Sequence, residues 1–394
     1  MAQVQGTTSP RFAKVHSLFQ SFLDSGSELG ASICVNIDGT DVVDLWGGYA
    51  DAARSQRWEK DTITCVWSSS KTITALATLV CIDRGLLDPT EKVVKYWPEF
   101  GVNGKQNVEV RHLLSHAAGL SGWQEAVTVE DICNLEKATK LLEQQAPWWE
   151  PGSAMGYHAM TMGHLLAELV RRVTGVPFQD FVLKELAGPL NADFRYGVKK
   201  EDLGRVAQII PPPPLKPEEV PEIFKDPSSL GFRTLAINPG MNAEDANGEL
   251  WRISVVPAAN GFSNARGLVR LLSPLSLQDE SVLSQKTAEK IFVMQQQGND
   301  IVMGAPVKFG LGFGLSAPET IFENLPEGRV ASWGGWGGSQ VIVDLENQMT
   351  ISYVMNKMEN AGMGQIREEG EKRGMGNQRT NAFVKAIYEA LEAK

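Results

Sequence analysis

The sequence predicts an α+β fold in which one antiparallel sheet is assembled from both ends of the chain, flanked by helices, with a mostly helical domain inserted between its halves. Three observations lead there. Strand-like runs cluster near the two ends, helical periodicity dominates from Ser70 to about Phe292, and each end also carries an amphipathic helix. In domain terms, residues 1–70 and 300–394 form a discontinuous sheet domain and residues 71–299 a mostly helical one. The cleft between them is the expected place for an active site.

The elements follow in order. From Arg11 to Ser25, apolar residues at Phe12, Val15, Leu18, Phe19 and Phe22 make a helical stripe suited to lying against a sheet. Ala31–Ile37 and Asp41–Tyr49 are strand-like and flank the turn Asp38-Gly39-Thr40, a hairpin signal. Helices are expected over 71–84, 129–145, 158–174, 177–187, 264–273 and 284–296. Pro211–Pro214 and Pro217–Pro221 interrupt them with a stiff extended segment, because proline lacks a donor and keeps its predecessor out of the α region. Met303–Ser316, Val330–Trp333, Ser339–Leu345 and Met349–Asn356 read as antiparallel strands, and Asn377–Ala393 as a closing helix.

With 394 residues, 43% of them hydrophobic and 21% charged, the chain can bury a large core. Its formal net charge of -10 argues against nucleic acid or an anionic membrane surface as partner, since both reward clustered Lys and Arg. Cys34, Cys65, Cys81 and Cys133 lie in apolar neighbourhoods without metal-ligand spacing, so buried free thiols in a reducing compartment are expected. The stretch from Met1 to Arg11 is polar, and no run is apolar enough to span a membrane. A cytoplasmic location is the expectation.

Ser68-Ser69-Ser70-Lys71 is the most informative stretch. An apolar run follows it, so a helix starts here and places Ser68 and Lys71 side by side, where the lysine can take the serine's proton. Ser69 and Ser70 lack that register. Read alone, a serine before a helix is more often an N-cap than a nucleophile. His112 and His116 stand four apart, but no third ligand is spaced nearby, so packing rather than a metal is expected there. No Gly-x-Ser-x-Gly occurs, which excludes a nucleophile elbow of the usual form. Gly310-Leu311-Gly312-Phe313-Gly314 lies between strand-like runs without a following helix and reads as a flexible strand or bulge, not a nucleotide loop.

Taken together, Ser68, Lys71, Tyr157 and Trp333-Gly334-Gly335-Trp336-Gly337-Gly338 resemble the serine β-lactamase and penicillin-binding-protein superfamily, most of all class C β-lactamases and family VIII carboxylesterases. The block Arg111 to Leu120 is a further landmark of that kind, and order and spacing match over nearly the whole chain. The resemblance implies a β-lactamase/transpeptidase-like fold, Ser68 as nucleophile, Lys71 as its base and Tyr157 as proton carrier. It implies an oxyanion hole made of the Ser68 and Trp336 backbone N–H groups. Two departures bear on substrate. Trp333 stands where the third box normally begins with lysine or histidine, and Ala159 replaces the asparagine of the second box. An indole cannot pair with a substrate carboxylate but can offer an apolar wall.

The expected activity is therefore a serine carboxylesterase working through an acyl-enzyme, by hydrolysis or transesterification, without metal or other cofactor. Its partner is a small-molecule ester, and related fungal enzymes suggest a bulky secondary-metabolite ester such as a lovastatin-type side chain. Trp333, Gly334, Gly335, His158 and Trp123 are the candidate substrate-binding residues. The rivals are a β-lactamase or D-amino-acid peptidase, and a non-catalytic scaffold of the same fold. His158, next to Tyr157, either tunes the tyrosine or closes a hydrogen bond.

Overall fold

The computed structural model describes residues 2–360 and 374–392. Its strands are β1 (Gln5–Thr8), β2 (Gly30–Ile37), β3 (Thr40–Gly48), β4 (Thr64–Cys65), β5 (Phe194–Tyr196), β6 (Gly261–Ser263), β7 (Gln296–Asp300), β8 (Ala305–Phe309), β9 (Gly314–Leu315), β10 (Val330–Gly334), β11 (Gln340–Asp344) and β12 (Met349–Met355). Among the described residues, nine of them form one antiparallel sheet in the order β1-β3-β2-β12-β11-β10-β9-β8-β7. The N-terminal hairpin thus pairs with the last strand, Met349 opposite Ile37 and Met355 opposite Ala31, and the sheet is closed from both ends as the sequence predicts.

Both sheet faces are covered. Ser276, on helix Ala265–Leu277, meets Thr350 on β12 through their hydroxyls at 2.8 Å. Tyr353, three residues on and so on the opposite face, stacks on Phe383 of helix Gln378–Glu392 at 5.2 Å. Phe383 also packs edge-on against Phe19 and Phe22 of helix Ala13–Ser25, which joins the two terminal helices into one layer. Ala393, the end of the expected closing helix, lies outside the described residues. Under the terminal layer, Arg379 and Glu28 form a buried ion pair at 2.8 Å, and Arg379 also donates to the carbonyls of Ser27 and Lys357.

Helix Ser70–Asp83 is buried from Ser70 to Ile82, on every side, as a helix does at the centre of a domain rather than on its surface. Helix Thr161–Thr174 packs against it. A small second sheet, in the order β4-β6-β5, leads the chain into its first turn. Sequence periodicity gives no sign of this sheet, whose strands are two or three residues long.

Several expected elements differ in extent. The helix expected over 129–145 is two, Val129–Cys133 and Leu135–Gln144, because Asn134 leaves helical geometry and its side chain caps the second through the Lys137 N–H. Residues 284–296 are not one helix: Gln285–Glu289 is helical, and by Gln296 the chain is extended in β7, the outer strand of the sheet. Met303–Ser316 is broken into β8 and β9 by a turn at Gly310–Phe313, where Gly312 has φ +81 and the Gly310 N–H donates to the Phe313 carbonyl at 2.9 Å. β1 escaped the sequence reading because Gln5–Thr8 is a polar strand at the other edge. All four cysteines are free, Cys34, Cys65 and Cys81 fully buried and Cys133 partly so. Among the described residues no helix is long and apolar enough to cross a membrane.

Candidate active site

Ser68 lies in the turn that enters helix Ser70–Asp83, and the Lys71 N–H donates to its carbonyl at 3.0 Å. That turn brings the Lys71 Nζ to 3.0 Å from Ser68 Oγ. The Tyr157 hydroxyl, 89 residues further along, donates to the same Oγ at 2.8 Å. One partly exposed serine oxygen therefore sits between an amine and a phenol, both buried.

Lys71 is 1% exposed, no acid lies against it among the described residues, and burial holds its pKa well below the usual lysine range. Its Nζ is also within hydrogen-bond distance of two buried carbonyls, Ala159 O at 2.6 Å and Ala258 O at 2.9 Å. A neutral amine has two N–H donors and one lone pair. In the neutral form, two donors on those carbonyls turn the lone pair toward Ser68; in the charged form the third donor points there. Burial pushes the Tyr157 phenol up to about 12, so it stays protonated and donates. An amine whose pKa is lowered and a phenol whose pKa is raised thus stand on the two sides of one oxygen.

The surroundings hold these groups still. Trp67, next to the serine, has φ 49, a left-handed conformation that costs a bulky residue about 1–3 kcal/mol and is kept only where packing demands it. The Ser70 hydroxyl accepts the Gly261 N–H at 2.8 Å, and the Ser69 hydroxyl meets Ser339 at 3.0 Å. Neither serine acts as a side-chain cap of its helix. Ser339 in turn donates to Val66 O at 2.8 Å, so the loop after β10 is pinned to the segment before the serine. A Cβ on Gly335 would come within 2.4 Å of Val66 O and 3.0 Å of Trp67 Cβ, so only glycine lets the two backbones approach this closely. Among the described residues, neither the Ser68 N–H nor the Trp336 N–H has a hydrogen-bond acceptor.

The two tryptophans of the glycine-rich run differ in placement. Trp333 is 1% exposed, packed on Tyr157 and Phe309 at 5.3 Å and on His116 and Phe322 at 5.9 Å. Trp336 is 41% exposed and leans edge-on against Trp67 at 5.1 Å. Gly334 ends β10, opposite Gln340. His158 is fully buried with both ring nitrogens engaged, one with Gly156 O at 2.6 Å and the other by the Leu120 N–H at 3.1 Å, and burial lowers its pKa to about 4. Trp123 is buried on His164 at 5.2 Å and donates to Ala138 O. The structure thus gathers Ser68, Lys71, Tyr157, Trp333 and the Gly335–Trp336 edge in one place, while His158 and Trp123 are committed to internal packing.

His116 is the residue that sequence reasoning left as packing. Its Nδ1 accepts the His158 N–H at 3.1 Å, its carbonyl accepts the Gly156 N–H at 2.9 Å, and its ring lies 5.1 Å from that of Tyr157. Burial holds it neutral. Asp300 was also missed: its Oδ1 accepts the Tyr157 N–H at 3.0 Å. Its segment, Gln296 to Asp300, is polar throughout and gives no local signal. Among the described residues no group of acidic, histidine and cysteine side chains could hold a metal ion.

Residues 15–372 match the family model described as Beta-lactamase. The chain is 32% identical over 373 residues to the esterase/beta-lactamase LipL of Mycobacterium tuberculosis, covering 90% of this chain and 83% of that one. It superposes on the crystal structure of a family VIII carboxylesterase with a TM-score of 0.87 at 32% identity, over 98% of this chain and all of the other. It also shares the fold of simvastatin synthase LovD from Aspergillus terreus, TM-score 0.70 at 17% identity, over 98% of this chain and 100% of that one.

Proposed function

Because the chain belongs to the beta-lactamase family, whose fold it has, we propose that it is a serine carboxylesterase using Ser68, Lys71 and Tyr157 as its reaction centre. The observation that carries this reading is the Ser68 oxygen held 3.0 Å from a buried lysine without a counter-ion and 2.8 Å from a protonated tyrosine. Resemblance to an esterase/beta-lactamase and a family VIII carboxylesterase supports an ester as the substrate.

Ser68 Oγ bonds to the ester carbonyl carbon as its proton passes to Lys71. The carbonyl oxygen, now an anion, takes the two uncommitted N–H groups of Ser68 and Trp336. When the tetrahedral adduct collapses, the carbon–alkoxy bond breaks and the alkoxide takes the Tyr157 proton, which the Lys71 ammonium replaces. Water or an alcohol then reverses the sequence and frees the acid or a new ester. Proton transfer by positioned groups is worth about 10²–10⁴-fold. Each oxyanion donor adds about 10²–10³-fold.

The substrate carries no carboxylate toward the Trp333 position, since a buried indole gives a carboxylate no ion pair. The exposed face of Trp336 is an apolar wall for the acyl or alcohol group, which suits bulky esters, including lovastatin-type side chains. The reaction lies between the sheet unit, 1–70 and 300–394, and the helical unit, 71–299.

Incubation with p-nitrophenyl esters followed by intact-protein mass spectrometry tests this. We expect an acyl adduct on Ser68 and a burst of p-nitrophenol that Ser68→Ala abolishes. An undiminished burst in Ser68→Ala would sink the assignment. Nitrocefin turnover as efficient as ester cleavage would transfer it to a β-lactamase, and a serine inert to a fluorophosphonate would make the protein a non-catalytic member of the fold.

A further inference from the structure

Asp300 is the last residue of β7 and sits at the corner of the hairpin joining β7 to β8, with Asp300 opposite Ala305. It is fully buried. Its Oδ1 accepts three backbone N–H groups, from Tyr157 at 3.0 Å, Val302 at 2.9 Å and Met303 at 2.8 Å. The second oxygen, Oδ2, is buried and has no hydrogen-bond partner among the described residues. Two of the three donors belong to the hairpin's own turn. The third is the main chain of the tyrosine that touches Ser68.

The rest of the corner reaches the same loop. The Ile301 N–H donates to Met155 O at 3.0 Å. Gly156 lies between, where a Cβ would come within 2.9 Å of the Val302 side chain and 3.0 Å of Ile301. From the other side, His116 takes the Gly156 N–H on its carbonyl and the His158 N–H on its Nδ1. The main chain around Tyr157 is therefore gripped between His116 and the hairpin corner, and Asp300 is the side chain that takes hold of Tyr157 itself. A buried carboxyl with an idle oxygen is costly, so packing alone does not account for it.

We propose that Asp300 is the positioning residue of Tyr157, fixing the phenol against Ser68 through the tyrosine's backbone N–H. The inference rests on reading Tyr157 as part of the reaction centre. Burial raises the Asp300 pKa only to about 6, so above that pH the acceptor is a carboxylate, the stronger partner for three N–H groups. A misplaced phenol loses proton transfer while leaving the binding walls intact, so the effect falls on kcat.

The test is a double-mutant cycle between Asp300→Ala and Tyr157→Phe on a p-nitrophenyl ester, with hydrogen exchange of the 155–158 backbone as a second readout. Asp300→Ala should lower kcat at least tenfold with KM within twofold and should speed exchange at Tyr157. In the Tyr157→Phe background it should cost less than twofold. Asp300→Asn keeps the Oδ1 acceptor and should restore most of kcat. Asp300→Ser, too short to reach Tyr157, replaces Asp300→Ala should the latter not fold. Multiplying effects in the cycle, a change confined to KM, or an asparagine as damaging as alanine would overturn the proposal. A wild-type protein whose Ser68 ignores fluorophosphonate would sink the functional reading instead, whereas unchanged exchange in Asp300→Ala would sink the positioning role with that reading intact.

Discussion

The hydroxyls of Ser69 and Ser339 meet at 3.0 Å across 270 residues of sequence, joining the turn that holds Ser68 to the loop that holds Trp336, the proposed nucleophile and the proposed second oxyanion donor. Ser339 also donates to Val66 O, so its single proton is spent on the backbone and Ser69 supplies the proton between the two hydroxyls. In the proposed mechanism this seam sets the spacing of the two oxyanion donors, and Gly335 is where its two backbones approach most closely.

Gly335→Ala therefore separates the two donors. The added Cβ meets Val66 O and Ser339 Oγ, each at 2.4 Å, so a backbone and a side chain hydrogen-bonded to that same backbone must give way. A fall in kcat of about 10²–10³-fold, the usual loss for one oxyanion donor, is expected with the fold retained by circular dichroism. Kinetics within threefold of wild type would show that the seam does not set the donor spacing.

Lys71 must be neutral to accept the serine proton, and its pKa is lowered by burial. The sign follows: activity is lost as pH falls through the depressed lysine value and rises above it, so the acid limb lies below the usual lysine range. Tyr157 keeps its proton up to about 12, so it imposes no basic limb at ordinary pH. A kcat/KM profile on an ester would check both. Lys71→Ala should cost about 10²–10⁴-fold and remove the acid limb.

Trp333 fills the space between Tyr157, Phe309, His116 and Phe322. Trp333→Ala should destabilise the protein by about 3–5 kcal/mol, the range for deleting a large buried aromatic, and lower kcat as the tyrosine ring loses its support. Chemical denaturation and ester kinetics measure the two effects. Trp333→Phe should recover most of both. A variant destabilised without loss of kcat would confine the indole to packing.

Arg379 neutralises Glu28 in the layer beneath the terminal helices, where both are almost wholly buried. Arg379→Met leaves a buried carboxyl without its cation and should cost about 3–5 kcal/mol. Glu28→Gln added to it should recover part of that loss, because the stranded charge is then gone. Thermal melts of the two variants decide; a double variant less stable than the single one would contradict the pairing.

What the sequence reveals of the site is its local part. Ser68 and Lys71 stand three apart on one turn, and helical geometry alone brings them together. Tyr157 was found through its spacing from them, which only resemblance can interpret. Ser339 and Asp300 were invisible because their value lies in what they meet: a hydroxyl on Val66 O and a carboxyl on the Tyr157 N–H, both across long stretches of chain. The same reason separates the strands found from those missed. β2, β3 and β12 bury enough apolar side chains to show a pattern, whereas β7 is a polar outer strand and β4 and β6 are too short to have a period. The sequence predicts an apolar wall at Trp333; in the structure that indole supports Tyr157 from within, and it is Trp336 that faces solvent.

Pairing of the first hairpin with the last strand has a consequence for the life of the enzyme before it is folded. Ser68 and Lys71 are made before the loop after β10, which carries Trp336, and before β12, which anchors the N-terminal hairpin. A growing chain therefore makes the serine well before the loop that Ser69 meets and the strand that holds the first hairpin. Such long-range closure is slow to form. It makes the appearance of activity a report that the whole sheet has assembled.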